Sequence, residues 1–153
     1  MSDMCYRCMQ PEIRSGRCRL CGARANQRNS NEDHDILPPG STLDGGKIMI
    51  GESLGRGGFG VTYIAKDEES GMVIALKEFF PKHLTMRNGK DVIPLESKIE
   101  TYEKCRRDFK REARLINSLH DHPNVVNVYF TLEENNTCYY GMELLKGMSL
   151  SAY

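Results

Sequence analysis

The chain has 153 residues, about one domain's length on a prior of roughly 100 to 200 residues per domain, which leaves room for one modest core and excludes a large two-lobed enzyme. Hydrophobic residues make up 39%, charged residues 27% and aromatics 8%, with no Trp, the make-up of an ordinary soluble protein rather than a disordered or fibrous one. Lys plus Arg (21) balance Asp plus Glu (21), so the chain as a whole offers no electrostatic case for nucleic acid or an anionic membrane, and any charge argument is local.

No window approaches the roughly 20 uninterrupted apolar residues that span a bilayer, and residues 1 to 10 lack the apolar core of a secretion signal. The expectation is a cytoplasmic protein with no membrane partner. Residues 1–25 are rich in Cys, Arg and Gly, with only Ile13 and Leu20 as branched apolar side chains, so no hydrophobic core is expected there unaided. Cys5-x-x-Cys8 and Cys18-x-x-Cys21 stand nine residues apart. Each pair can wrap one face of a tetrahedral ion, and four thiolates at about 2.3 Å complete the shell of a structural zinc with no open position for catalysis. Ordering each residue costs about 1 to 2 kcal/mol in backbone entropy, whereas structural zinc supplies roughly 10 to 16 kcal/mol, so metal is expected to fold this piece. The alternatives are redox dithiols, which would need a thioredoxin-like context that is absent, a tail with incidental cysteines, and iron in a rubredoxin-like site. Arg7, Arg14, Arg17, Arg19, Arg24 and Arg28 outnumber Asp3 and Glu12, but four thiolates and one Zn²⁺ remove two charges. The small remaining excess, with Tyr6 as the tail's aromatic, makes a nucleic-acid partner not expected and protein docking the better reading.

Residues 26–42 are polar and carry Pro38, Pro39 and Gly40, which read as a linker. Strand-like stretches follow at 47–54, 61–66 and 72–80. Between the first two lies Gly55-Arg56-Gly57-Gly58-Phe59-Gly60, where glycines let backbone N–H groups approach phosphates. The β-branched run after it makes the loop a hairpin connection rather than the strand-to-helix turn of a dinucleotide fold. Lys77 ends a run of four apolar residues, so it must pair or leave the core. From about 98 to 120 the apolar period lengthens to that of a helix through Ile99, Tyr102, Cys105, Phe109, Ala113, Ile116 and Leu119. At 100° per residue, Glu112 lies about 60° from Phe109 and about 40° from Ile116, on the edge of the apolar stripe, where it can reach inward. Two more strands are expected at 125–132 and 137–144, joined by a turn at 133–136. Cys105 and Cys138 read as small core residues, and His34, His83, His120 and His122 as non-ligands.

The glycine loop and Ile74-Ala75-Leu76-Lys77 resemble the small lobe of bacterial serine/threonine protein kinases of the eukaryotic type. His122-Pro123-Asn124-Val125-Val126 and Tyr139-Tyr140-Gly141-Met142-Glu143-Leu144-Leu145 extend the likeness. The resemblance implies that Lys77 holds the α- and β-phosphates of ATP and is itself held by Glu112. It implies that Gly55, Arg56, Gly57, Gly58, Phe59 and Gly60 cover the phosphates, that Thr62 and Ala75 line the adenine pocket, and that Met142 is the gatekeeper. The backbones of Glu143 and Leu145 would meet the adenine edge, Ile116 and Val128 would form the upper regulatory spine, and Gly147–Leu150 would lead into a further helix. Two departures stand out. Thr62 replaces the usual valine, and 35 residues separate Lys77 from Glu112, a long connection whose Asn88-Gly89 suggests an extra hairpin.

The expected architecture is α+β: a zinc knuckle (1–25), a linker (26–42) and a kinase-like small lobe (43–153) of five antiparallel strands and one main helix. No H-R-D loop and no D-F-G follow Lys77, so the base and the Mg²⁺-binding aspartate of the family are missing and this chain alone is expected to be inactive. Two readings follow: the ATP-binding lobe of a truncated kinase, or a non-catalytic module docking on a protein partner or a separate large lobe.

Overall fold

The computed structural model describes residues 4–24, 34–119 and 121–145. Two-residue strands β1 (Ile13–Arg14) and β2 (Arg17–Cys18) pair in the cysteine-rich tail. The main sheet contains β3 (Thr42–Leu43), β4 (Ile48–Arg56), β5 (Gly60–Asp67), β6 (Val73–Phe79), β9 (Val128–Glu134) and β10 (Thr137–Met142). Its order is β3-β4-β5-β6-β10-β9, antiparallel throughout. The five expected long strands are present, and the short β3 adds a sixth by pairing with Ile48 and Met49. Asn135 and Asn136 have φ of 56° and 59°, the two-residue turn that matches strand twist. Glu133 and Glu134 therefore remain in β9 rather than in the turn.

Strand alternation sorts the sheet into two faces. Thr62 pairs with Lys77 and Ile64 with Ala75, so these four share one face with Phe79. Helix α1 (Ile99–Ser118) covers part of it with Tyr102, Phe109 and Ala113. The Phe79 ring lies 5.4 Å from Tyr102 and 5.3 Å from Phe109, and Phe109 lies 5.1 Å from Tyr140. Each such ring, once buried, contributes roughly 1.5 to 3 kcal/mol of transfer free energy. No helix among the described residues is long and apolar enough to cross a membrane.

The opposite face carries Tyr63, Leu76, Glu78 and Tyr139 and is covered by two segments. One is the hairpin of β7 (Thr85–Asn88) and β8 (Asp91–Pro94), the expected extra hairpin in the long connection. The other is the stretch from His34 to Leu43, which up to residue 42 falls in the supposed linker. Leu37 is fully buried there and its N–H donates to the Tyr63 hydroxyl at 3.0 Å. The prolines shape this segment without freeing it, because Ile36 and Leu37 join the core.

Candidate functional site

The glycine loop closes through the Gly57 N–H, which donates to the Gly60 carbonyl at 2.9 Å. Gly55 and Arg56 end β4, opposite Thr62 and Val61, and Gly60 begins β5. A side chain at Gly60 would collide with the Glu78 carbonyl, so the backbones of β5 and β6 approach as closely as only glycine permits. On the other side of the loop the Cβ directions of Gly55, Gly57 and Gly58 meet open space, and Phe59 is exposed. Arg56 differs from its neighbours: its guanidinium pairs with Asp35 at 3.0 Å, which leaves its backbone as its contribution to the loop.

Lys77 and Glu112 come together from β6 and α1, with Nζ to Oε1 at 3.4 Å. The Lys77 ammonium also lies 5.9 Å from the Phe109 ring and 5.6 Å from the Tyr140 ring. Burial pulls the Lys77 pKa down, yet Tyr140 and Glu112 outweigh it and hold it above the ordinary lysine value. Tyr140, opposite Lys77 on β10, donates to Glu112 Oε1 at 3.3 Å. This third member was missed from the sequence, where it reads as one more strand aromatic; its register with Lys77 was the available signal. Both charged side chains remain partly open to solvent, 30% for Lys77 and 49% for Glu112, so the pair can accept a further anion.

Ala75 is buried and stands opposite Met142, which ends β10 beside Val128 of β9. The Glu143 N–H donates to the Asn127 carbonyl at 2.8 Å, so for an adenine edge Glu143 has its carbonyl oxygen to offer. Leu145 is 67% exposed just beyond β10. Ile116 packs on the core and Val128 is buried within it; Gly147–Leu150 fall outside the described residues. Thr62, Ala75, Lys77 and Glu112 thus converge on one face below the glycine loop. A cavity of about 250 Å³ lies elsewhere, between α1 and β9–β10, and none of the predicted site residues lines it.

The four cysteine sulfurs lie within 4.8 Å of one another, with Cys5 to Cys21 and Cys8 to Cys18 both at 3.6 Å. Tetrahedral zinc with bonds of about 2.3 Å needs sulfurs about 3.8 Å apart, so the cluster fits such an ion. The Cys21 N–H directed at Cys18 Sγ lowers that thiol to about 7, while burial raises Cys8 and Cys21, so one ligand is poised as a thiolate and a metal would have to displace the protons of the others. Cys105 packs against the core and Cys138 lies within it, and burial pushes the Cys138 thiol up to about 11.

The opposite face holds a network the sequence did not disclose. Glu78 is 0% exposed, and its carboxylate accepts Arg87 Nη2 at 2.5 Å, Arg87 Nη1 at 3.1 Å, Tyr63 at 3.1 Å and Tyr139 at 2.7 Å. Arg87 also donates to the Asp35 carbonyl at 2.7 and 3.1 Å and lies 4.7 Å from the Phe80 ring. One bidentate pair therefore fastens β6, the β7–β8 hairpin and the segment at Asp35.

Residues 48–153 match the protein kinase domain family. Among curated relatives, Calcium-dependent protein kinase 10 of Arabidopsis thaliana is 31% identical over 117 residues, which is 76% of this chain and 18% of that protein. Calcium-dependent protein kinase 14 of Arabidopsis thaliana is 34% identical over 104 residues, 68% of this chain and 17% of that protein. The chain thus spans less than a fifth of the length of these relatives. A solved structure, PpkA-294 in its apo form, superposes with a TM-score of 0.72 at 32% identity, covering 77% of this chain and 42% of that one.

Proposed function

Because this chain belongs to the protein kinase domain family, we propose that it supplies the ATP-binding lobe of a serine/threonine protein kinase. Lys77 would neutralise the α- and β-phosphates, Glu112 and Tyr140 would aim it, and the backbone of Gly55–Gly60 would close over the phosphates. Ala75, Thr62 and Met142 would enclose the adenine, with the Glu143 carbonyl and the Leu145 backbone at its polar edge. Phosphoryl transfer to a protein hydroxyl would further require an aspartate base and a Mg²⁺-binding aspartate, whose motifs these 153 residues do not contain. The observation that carries this reading is the 3.4 Å Lys77–Glu112 pair on the face below the glycine loop.

Cys5, Cys8, Cys18 and Cys21 would hold zinc as a structural ion, since four thiolates leave it no open position for chemistry. A reducing, cytoplasmic setting suits four unpaired thiols at this spacing.

A second reading is a non-catalytic module that docks on a protein partner. Its support is the exposed apolar set of Leu115, Leu119 and Leu145. Thermal melting with and without ATP separates the two. The ATP-binding lobe gives a nucleotide-dependent rise in Tm that Lys77→Met removes, whereas a docking module gives none.

A further inference from the structure

The four-cysteine unit is not a separate appendage. The Glu52 N–H of β4 donates to the Tyr6 carbonyl at 2.9 Å, and Tyr6 lies between the ligands Cys5 and Cys8. Met9, directly after Cys8, is 0% exposed. A Cβ on Gly51 would fall 2.5 Å from the Met9 sulfur and 2.8 Å from Ile64 Cγ2 and would collide with the Tyr6 carbonyl. Gly51 is thus the socket into which the cysteine turn is pressed. The contact falls where the β4–β5 register shifts, between Ile50 and Ser53, so the Glu52 N–H is satisfied by the tail where the ladder is irregular. Tyr6 also touches the segment before β3, its hydroxyl 2.8 Å from where a Gly40 Cβ would stand.

The position on the sheet is what gives this dock a consequence. Ile64 shares a face with Thr62, Ala75 and Lys77, so Met9 sits on the nucleotide side of the sheet. Gly51 and Glu52 precede the glycine loop on the same strand. We propose that Tyr6 and Met9 are positioning residues for the glycine loop, and that tetrahedral metal in the four-cysteine site, by holding the Cys5–Cys8 turn, presses them onto β4 so that metal and nucleotide binding are linked. The nucleotide half of this inference rests on the function proposed above; the docking half does not.

The link follows from the chain's connectivity. Cys5 and Cys8 bracket Tyr6, and their sulfurs meet those of Cys18 and Cys21. Without a metal the turn that aims the Tyr6 carbonyl and seats Met9 keeps its backbone bonds, Met9 N–H to the Cys5 carbonyl at 2.7 Å and Cys5 N–H to the Gln10 carbonyl at 3.0 Å, but loses the tie to Cys18 and Cys21, which weakens the partner of β4 at Glu52. Linkage is reciprocal, so nucleotide must tighten metal binding by the factor by which metal tightens nucleotide binding.

The test is amide hydrogen exchange on the whole chain, loaded with Zn²⁺ or stripped by a chelator, with a Zn²⁺-loaded Met9→Ala variant alongside. Stripping is expected to speed exchange at Glu52 and through Gly51–Arg56 by about tenfold, the loss of about one hydrogen bond, while Val73–Phe79 and Thr137–Met142 stay protected. Met9→Ala retains all four cysteines and should show the same local gain with zinc still bound. Unchanged exchange at Glu52 after stripping, or equal loss across the whole sheet, overturns the proposal. In the second arm, titration with a fluorescent ATP analogue should show affinity lower by at least about fivefold in the stripped chain. Equal affinity with and without zinc overturns the link. Failure of the zinc-loaded chain to bind the analogue at all instead refutes the nucleotide reading and with it the link, while the exchange arm still decides the dock.

Discussion

Lys77 and Glu78 are neighbours on one strand, and each forms an ion pair, but on opposite faces of the sheet. The Glu78–Arg87 pair is bidentate, with side-chain exposures of 0% and 4%, and two tyrosines satisfy the remaining carboxylate positions. Lys77 and Glu112 meet through one longer contact, partly open to water. The first pair is closed chemistry, with no donor or acceptor left for a ligand. The second leaves Lys77 with donors to spare and room beside it. A buried and saturated pair holds a fold together, whereas a half-open pair next to a glycine loop is equipped to receive an anion.

The largest difference between the faces should appear in stability. Arg87→Met leaves the Glu78 carboxylate buried without its cation and should cost about 3 to 5 kcal/mol in urea denaturation, whereas replacing both partners by apolar residues should recover much of that loss. A smaller effect separates the faces at high pH. Burial first, and the Glu78 carboxylate second, raise the pKa of Tyr63 and Tyr139 above the ordinary phenol value. The folded chain therefore keeps protons that the unfolded chain releases. Stability should stay level with respect to these groups below about pH 10 and fall as pH rises above it. Absorbance at 295 nm should show these phenols ionising only with unfolding. The smallest stability change belongs to the open face: Glu112→Gln should shift it by no more than about 1 kcal/mol, because a partly exposed ion pair contributes little. A loss comparable to that of Arg87→Met would erase the distinction.

The open face was legible in the sequence and the closed face was not, for a physical reason. The glycine loop, Lys77 and Glu112 announce themselves locally, through turn chemistry, strand alternation and helical phase. The β7–β8 hairpin was likewise visible in Asn88-Gly89, although the turn itself falls at Gly89 and Lys90. Its target was not: Glu78 finds Arg87 only once the hairpin folds back on the sheet, and nothing local marks that docking. Within the stretch read as a linker (26–42), residues 34–42 pack on the sheet, and the prolines and polar residues there hid the part played by Ile36 and Leu37 in the core and by the Asp35 carbonyl held by Arg87. Met9 was overlooked for a similar reason. Its sulfur packs against Gly51, a glycine whose role becomes visible when the tail lies against β4.

The most direct test of the claim that the open face is a nucleotide site is an amide NMR titration of the chain with ATP, repeated on Lys77→Met. Shifts confined to Gly55–Gly60, Lys77 and Met142–Leu145, and lost in the variant, are the predicted result. Shifts absent at saturating ATP, located away from this face, or unchanged by the substitution would contradict it.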